Sequence, residues 1–286
     1  MTRSVIRCRS KELTWNSQTL IMGVLNVTPD SFSDGGRYLS PEDAMRQAAQ
    51  LIKDGAHIVD VGGESTRPFS EPVPIDEELK RVIPAIQAIR SFSNCPISID
   101  TTKAEVAERA IEAGADIVND ISGLRMDDLM ADLVREKDVP VVIMHMQGTP
   151  RDMQKDPYYN DVIREIDDFF LERISFCLKA GISKENIILD PGIGFGKRFQ
   201  DNLDIINGLA HFTRHGMALL LGPSRKAFLG TITGKETAER RDSATVGAAV
   251  ACALNGASIL RVHNVSAVAD ALKVVDALKQ RKQEVS

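Results

Sequence analysis

Asp54-Gly55-Ala56-His57-Ile58-Val59-Asp60-Val61-Gly62-Gly63-Glu64-Ser65-Thr66-Arg67-Pro68 decides how the chain folds. An amphipathic helical stretch runs up to Gly55, and a glycine there ends a helix in the left-handed conformation. The β-branched run that follows makes residues 57–62 a strand, which stops abruptly in Gly62-Gly63. Paired glycines let the backbone turn sharply and let a ligand come close. The carboxylate, hydroxyls, Arg and Pro behind them are too dense to be mere solvation of a turn.

The head of this stretch recurs. Ala113-Gly114-Ala115-Asp116-Ile117-Val118 and Asn255-Gly256-Ala257-Ser258-Ile259-Leu260 nearly repeat it, each after a helical pattern and each opening a strand. Repetition of helix, Gly-Ala and strand marks a βα array. Strands are expected at Leu20–Asn26, His57–Gly62, Pro96–Thr101, Asp116–Asp120, Val139–His145, Asn186–Asp190, Met217–Gly222 and Ser258–His263. Between and after them the patterning predicts helices at Pro41–Lys53, Asp76–Ser91, Lys103–Glu112, Met126–Glu136, Tyr159–Ala180, Asn202–His215, Ser243–Asn255 and Ser266–Gln280. The first is entered through Ser40 as N-cap with Pro41 at N1. Eight strands alternating with eight helices predict an α/β fold. It is one (β/α)8 TIM barrel over residues 1–286, with 1–18 as an extension covering the barrel bottom. A doubly wound open sheet uses the same elements, but no GxGxxG follows the first strand.

The bulk numbers suit a barrel. A chain of 286 residues is close to the roughly 250 that such a fold takes. Apolar residues make up 43% and aromatics only 5%, so the core is aliphatic, as in parallel sheets. A net charge of -5 excludes a general nucleic-acid binder and leaves any anionic ligand to a local cation cluster. Cys8, Cys95, Cys177 and Cys252 form no CxxC pair and read as reduced, buried thiols. With no apolar run of spanning length and no apolar leader in Met1–Trp15, a soluble cytoplasmic protein is expected.

Barrel sites lie at the C-terminal strand ends. Here those ends are Asn26, Asp60, Asp100, Asn119 with Asp120, His145, Asp190, Ser224 to Lys226, and Arg261 with His263. Any one of these is commonly a cap or a salt bridge, whereas a full ring of them is hard to explain as structure alone. Period two puts Ser98 with Asp100, Ile188 with Asp190, and Arg261 with His263 on one face, and turns Ile99, Leu189 and Val262 to the helices. Two connections exceed the usual βα length, Val27–Leu39 and Gly63–Ile75, and both read as long mobile loops on the catalytic face. Gly192–Lys197 is no Walker loop, because Pro191 stands where the first glycine is needed and Arg198 follows Lys197.

The motifs together resemble the dihydropteroate synthase family. They are Gly23-Val24-Leu25-Asn26-Val27-Thr28-Pro29-Asp30-Ser31-Phe32-Ser33-Asp34-Gly35-Gly36 and Gly62-Gly63-Glu64-Ser65-Thr66-Arg67-Pro68. Then come Ser98-Ile99-Asp100-Thr101, Asn119-Asp120, Met144-His145-Met146-Gln147-Gly148, Asp190-Pro191-Gly192-Ile193-Gly194-Phe195-Gly196, Ser224-Arg225-Lys226 and Arg261-Val262-His263. The resemblance implies condensation of 6-hydroxymethyl-7,8-dihydropterin pyrophosphate with p-aminobenzoate, giving 7,8-dihydropteroate and pyrophosphate. It implies that Asp190, Asn119 and Asp100 hold the pterin edge, Lys226 its carbonyl side, and Met144, Phe195 and Arg261 the ring faces. A carboxylate suits paired N–H donors.

Pyrophosphate is then expected at Asn26, Thr66, Arg261 and His263, with Mg2+ held by Asn26 and by Asp34 on loop closure. Mg2+ needs few protein ligands. Phe32, Thr66, Arg67, Pro68 and Lys226 are implied for p-aminobenzoate, and the catalytic set is Asp100, Lys226, Asp34 and Arg67. Many members carry Ser after this Lys; here Ala227 stands there, and the N-terminus of the helix beyond Lys226 is left to serve the carboxylate. The composition of the helix Ser243–Asn255, rich in Ala, Gly and Val, permits close packing on the barrel, and the resemblance implies a homodimer through helices in this part of the chain. Two rival readings share part of these residues: a pterin-binding methyltransferase from methyltetrahydrofolate to a corrinoid, which needs neither Arg67 nor Lys226, and a catalytically silent pterin-binding barrel.

Overall fold

The computed structural model describes residues 4–9, 11–15, 18–28, 40–65 and 70–285, with side chains to residue 281. An antiparallel hairpin of β1 (Val5–Cys8) and β2 (Lys11–Thr14) opens the chain. The barrel strands are β3 (Leu20–Asn26), β4 (Ile58–Gly62), β5 (Ile97–Asp100), β6 (Ile117–Asp120), β7 (Val141–Met144), β8 (Ile187–Asp190), β9 (Ala218–Leu221) and β10 (Ile259–Val262). They pair in chain order, all parallel, and β10 closes on β3. The expected (β/α)8 barrel is what forms.

Helices α1 (Pro41–Lys53), α2 (Ile75–Phe92), α3 (Ala104–Ala113), α4 (Met130–Lys137), α5 (Val162–Lys179), α6 (Phe199–Gly208), α7 (Ala227–Thr233), α8 (Asp242–Leu254) and α9 (Val265–Val285) surround it. The three Gly-Ala junctions are built alike. Gly55, Gly114 and Gly256 have φ of 108°, 128° and 110°. At each, the next alanine donates its N–H back into the helix: Ala56 to Leu51, Ala115 to Ala110 and Ala257 to Cys252, at 2.8–2.9 Å. An L side chain resists that backbone, so glycine sets where helix gives way to strand.

Some boundaries differ from the expected ones. The helix expected from Met126 begins at Met130, because the Asp127 carboxylate accepts from the Ala104 and Leu129 N–H groups and holds a turn. The helix expected from Tyr159 starts at Val162 behind Asp161, which accepts from Arg164 N. The one expected from Asn202 starts earlier, at Phe199, where Asp201 accepts from Arg198 N, and residues 209–215 tighten into a 3-10 turn. The helix beyond Lys226 is a short separate element, α7.

Two-residue alternation layers the barrel interior. Ile58, Ile117, Val142, Ile188 and Ile259 form the lower layer with Leu20, Met22, Ala218 and Leu220, and Ile6, Cys8, Leu13 and Trp15 from the hairpin region join it. Each fully buried aliphatic side chain there contributes roughly 1.5–3 kcal/mol. Two residues further along the same strands come Asp60, Asn119, Met144, Asp190 and Arg261. Ile99, Leu189 and Val262 lie in the outer core with the helices, as the alternation predicts. One strand face thus carries an apolar base and a polar mouth. The loop stretches 29–39 and 66–69 lie outside the described residues, as do the mobility expected of them and Phe32, Asp34, Thr66, Arg67 and Pro68.

Candidate active site

Arg261 spans the mouth. Its Nε donates to Asp60 Oδ2 and one terminal nitrogen to Asp100 Oδ2, both at 2.7 Å. Asp60 is wholly buried and Asp100 nearly so. Burial raises the Asp100 carboxyl above the ordinary range, the Asp60 carboxylate adds to this, and Arg261 opposes it. The Asn119 amide N–H2 lies 3.4 Å from both Asp60 oxygens, which turns its carbonyl oxygen away from them. Sequence reasoning placed Asp60 at the strand end without giving it a role. The readable signal was its inward register, two residues beyond Ile58.

Asp190 closes the opposite side. Its Oδ1 accepts from Gly192 N at 2.7 Å, and burial pushes its pKa up to about 6 against that bond and the charges of Lys226, Lys197 and Arg261. Lys226 puts its ammonium 4.2 Å from the centre of the Phe195 ring. Burial and then Arg261 lower it to about 8. Phe195 also packs on a methionine cluster of Met144, Met146 and Met153 with Ile121. Thioethers conform to flat rings of varied outline. Asp190, Lys226, Phe195 and Met144 therefore surround one space, as expected, and Met146 and Met153 extend its apolar wall.

The Gly192–Gly196 turn that carries Phe195 rests on Lys197, which sequence reasoning considered only in rejecting a Walker loop. This buried ammonium donates to the carbonyls of Phe195 at 2.9 Å and Gly192 at 3.2 Å, and meets His145 Nδ1 at 3.0 Å. Burial lowers Lys197 to about 7, and burial with the Lys197 charge lowers His145 to about 2, so the imidazole is neutral. Gly192 takes φ +70°, and a Cβ there would run into the His145 carbonyl. His145 therefore supports the turn from below.

His263 lies beside the mouth. Ser224 Oγ accepts from His263 N at 3.2 Å and sits 2.9 Å from Nδ1. The Ser224 hydroxyl thus fixes the orientation of the imidazole through Nδ1 and leaves Nε2 outside this pair. Burial, then Arg261, Arg225 and Lys226, lower His263 to about 3, so its imidazole is neutral here and not a cation. Arg225, with φ +60°, is turned outward and clasps Asp242 through Nε at 2.7 Å and a terminal nitrogen at 3.0 Å.

Asn26 ends β3 next to Gly62. A Cβ at Gly62 would stand 3.6 Å from Asp100 Oδ2 and 3.7 Å from Asn26 Oδ1, so two hard oxygen donors face one space that glycine leaves open. Asp100 Oδ2 is engaged by Arg261, so the fit to Mg2+, which takes oxygen ligands and keeps several waters, rests on Asn26 Oδ1. Among the described residues no three His, Cys, Asp or Glu side chains gather as a fuller cage.

A parallel barrel whose mouth presents carboxylates, an amide and a methionine–phenylalanine wall is a site for a flat, donor-rich heterocycle. Residues 22–263 match the family of pterin binding enzymes. The chain is 45% identical to the dihydropteroate synthase of Synechocystis over 264 residues, 92% of this chain and 91% of that one. Among solved structures, the Yersinia pestis dihydropteroate synthase in complex with a sulfonamide drug superposes with a TM-score of 0.91 at 38% identity, covering 97% and 99% of the two chains. The Xanthomonas albilineans dihydropteroate synthase with 4-aminobenzoic acid gives 0.91 at 42%, with the same coverage. The chain belongs to the dihydropteroate synthase family.

Proposed function

We propose that the chain condenses 6-hydroxymethyl-7,8-dihydropterin pyrophosphate with p-aminobenzoate in folate biosynthesis. The observation that carries this reading is the Arg261 guanidinium shared between Asp60 and Asp100, facing Asp190 and Lys226. Asp190 takes the paired N–H donors of the pterin edge, Asn119 and Asp100 its neighbouring nitrogens, and Lys226 donates to the carbonyl side. Met144 and Phe195 hold the ring, with Arg261 across its other face.

The carbon–oxygen bond breaks first, its electron pair leaving with pyrophosphate. Asn26, Arg261, Thr66 and His263 receive that anion. Positive charge spreads into the dihydropterin, where Asp100 stabilises it. The arylamine, oriented by Phe32, Thr66, Arg67, Pro68 and Lys226, then forms the carbon–nitrogen bond and loses a proton to water. The displacement is SN1-like, without a covalent enzyme intermediate. Mg2+, held by Asn26 and Asp34, supplies charge neutralisation of the leaving group.

Ile6, Cys8, Leu13 and Trp15, packed on the lowest layer of barrel side chains, close the barrel bottom of this single domain. The half-buried Ala244, Val246, Ala248, Val250 and Ala251 of α8, with exposed Leu254, support a homodimer through that helix. No described helix is long and apolar enough to cross a membrane; we place the enzyme in the cytoplasm and expect sulfonamides to compete with p-aminobenzoate. The test is pyrophosphate release with both substrates, with and without Mg2+. Release that needs the arylamine and yields dihydropteroate supports the reading; bound pterin pyrophosphate without turnover overturns it in favour of a silent binder or a methyltransferase.

A further inference from the structure

Lys103 lies just past β5, three residues beyond Asp100 and outside the constellation above. Its ammonium bonds the Glu64 carboxylate and, at 2.6 Å, Glu78 Oε2. Glu78 is wholly buried in the first turn of α2. Gly63 makes room for it, since a Cβ there would stand 2.7 Å from Val82 and 3.0 Å from Glu78 Cγ. Arg81, one turn on, donates to the Gly63 carbonyl at 2.8 Å. A cavity of about 270 Å³ has Glu64, Glu78 and Lys103 on its lining together with Asp100 and Ile121.

A buried ion pair is weak evidence for stability, because apolar packing does as well, whereas it does fix geometry. Here the geometry is a bridge. Glu78 anchors Lys103 to α2, Lys103 continues the strand of Asp100, and Glu64 is where the chain leaves β4 for Thr66-Arg67-Pro68. We propose that Lys103 is a positioning residue for the arylamine. It holds Glu64, and through Glu64 the course of the chain toward Thr66, in register with Asp100. The proposal rests on the condensation read above.

Glu64→Gln tests it with little risk to folding, because Lys103 keeps Glu78. In steady-state pyrophosphate release, its KM for p-aminobenzoate rises at least tenfold. Its kcat at saturating arylamine stays within about twofold of wild type, and calorimetric binding of the pterin pyrophosphate is unchanged. Lys103→Met combined with Glu78→Gln, which strands no buried charge, gives the same split. A folded variant with wild-type arylamine KM, or one that loses pterin binding in equal measure, overturns the proposal. Wild type is run alongside: if it shows no arylamine-dependent release, the condensation itself fails and takes the proposal with it.

Discussion

Arg261 and Asp100 meet across the barrel mouth at 2.7 Å, from strands whose residues lie 161 positions apart in the chain. The same guanidinium holds Asp60, so one cation stands against two buried carboxylates. Burial beside Asp60 raises the Asp100 carboxyl, so its charged form is held at a cost that positive charge developing on a dihydropterin relieves. Asp100→Asn is expected to lower kcat by about 100- to 1,000-fold, the scale of removing one preorganised electrostatic partner. Pterin pyrophosphate affinity should change only a few-fold, since Asp190 and Asn119 keep the ring edge. Single-turnover kinetics with a separate binding titration decide this; equal losses in both would remove the charge-stabilising role.

Asp190 links the site to stability against pH. Burial raises its native pKa to about 6, above the unfolded value near 4. Between these values the native state holds more protons than the unfolded one, so stability falls as pH rises from about 4 to about 6 and stays low above that. A shift of this size is worth about 3 kcal/mol. Asp190→Asn keeps an oxygen for Gly192 N and has no charge to bury. It should match wild type near pH 4, exceed it in urea denaturation at pH 8, and bind pterin far more weakly. A variant less stable than wild type at pH 8 would contradict the assignment.

Much of this was legible from residue order. Glycine at each helix exit set the strand starts, and two-residue alternation placed Asp100, Asp190 and Arg261 inward. Partners were harder to read. Asp60 pairs with Arg261 only because the barrel closes β10 on β3 beside β4, a long-range fact that no local pattern carries. The neutral state of His263 likewise comes from burial among Arg261, Arg225 and Lys226. Helix starts at Met130 and Val162 moved because single Asp side chains took backbone N–H groups, a choice that amphipathic patterning does not report.

Lys197 is expected to be structural in its energy and functional in its reach. Lys197→Met leaves the Gly192 and Phe195 carbonyls and the His145 ring nitrogen buried with one partner fewer. Unmade bonds of this kind cost about 1–3 kcal/mol each, so a loss of a few kcal/mol is expected in chemical denaturation. The turn they hold carries Phe195, and pterin KM should rise well before the arylamine KM does. Unchanged stability would mean that the turn holds itself.

Ala227 offers a change in the other direction. It is the exposed first residue of α7, directly after Lys226, where the first backbone N–H groups of the helix lack partners within it. A hydroxyl there adds one donor for the arylamine carboxylate. A hydrogen bond to a charged group is worth about 1.5–3 kcal/mol at most, less whatever water already supplies. Ala227→Ser is therefore expected to lower the KM for p-aminobenzoate by about threefold to tenfold, leaving pterin affinity and kcat in place. Sulfonamides lack that carboxylate and should gain less, so the ratio of sulfonamide inhibition constant to p-aminobenzoate KM should rise. Competition assays on the two proteins measure both quantities. An unchanged KM would place the arylamine carboxylate away from the start of α7 and shift its recognition to Lys226 and Arg67.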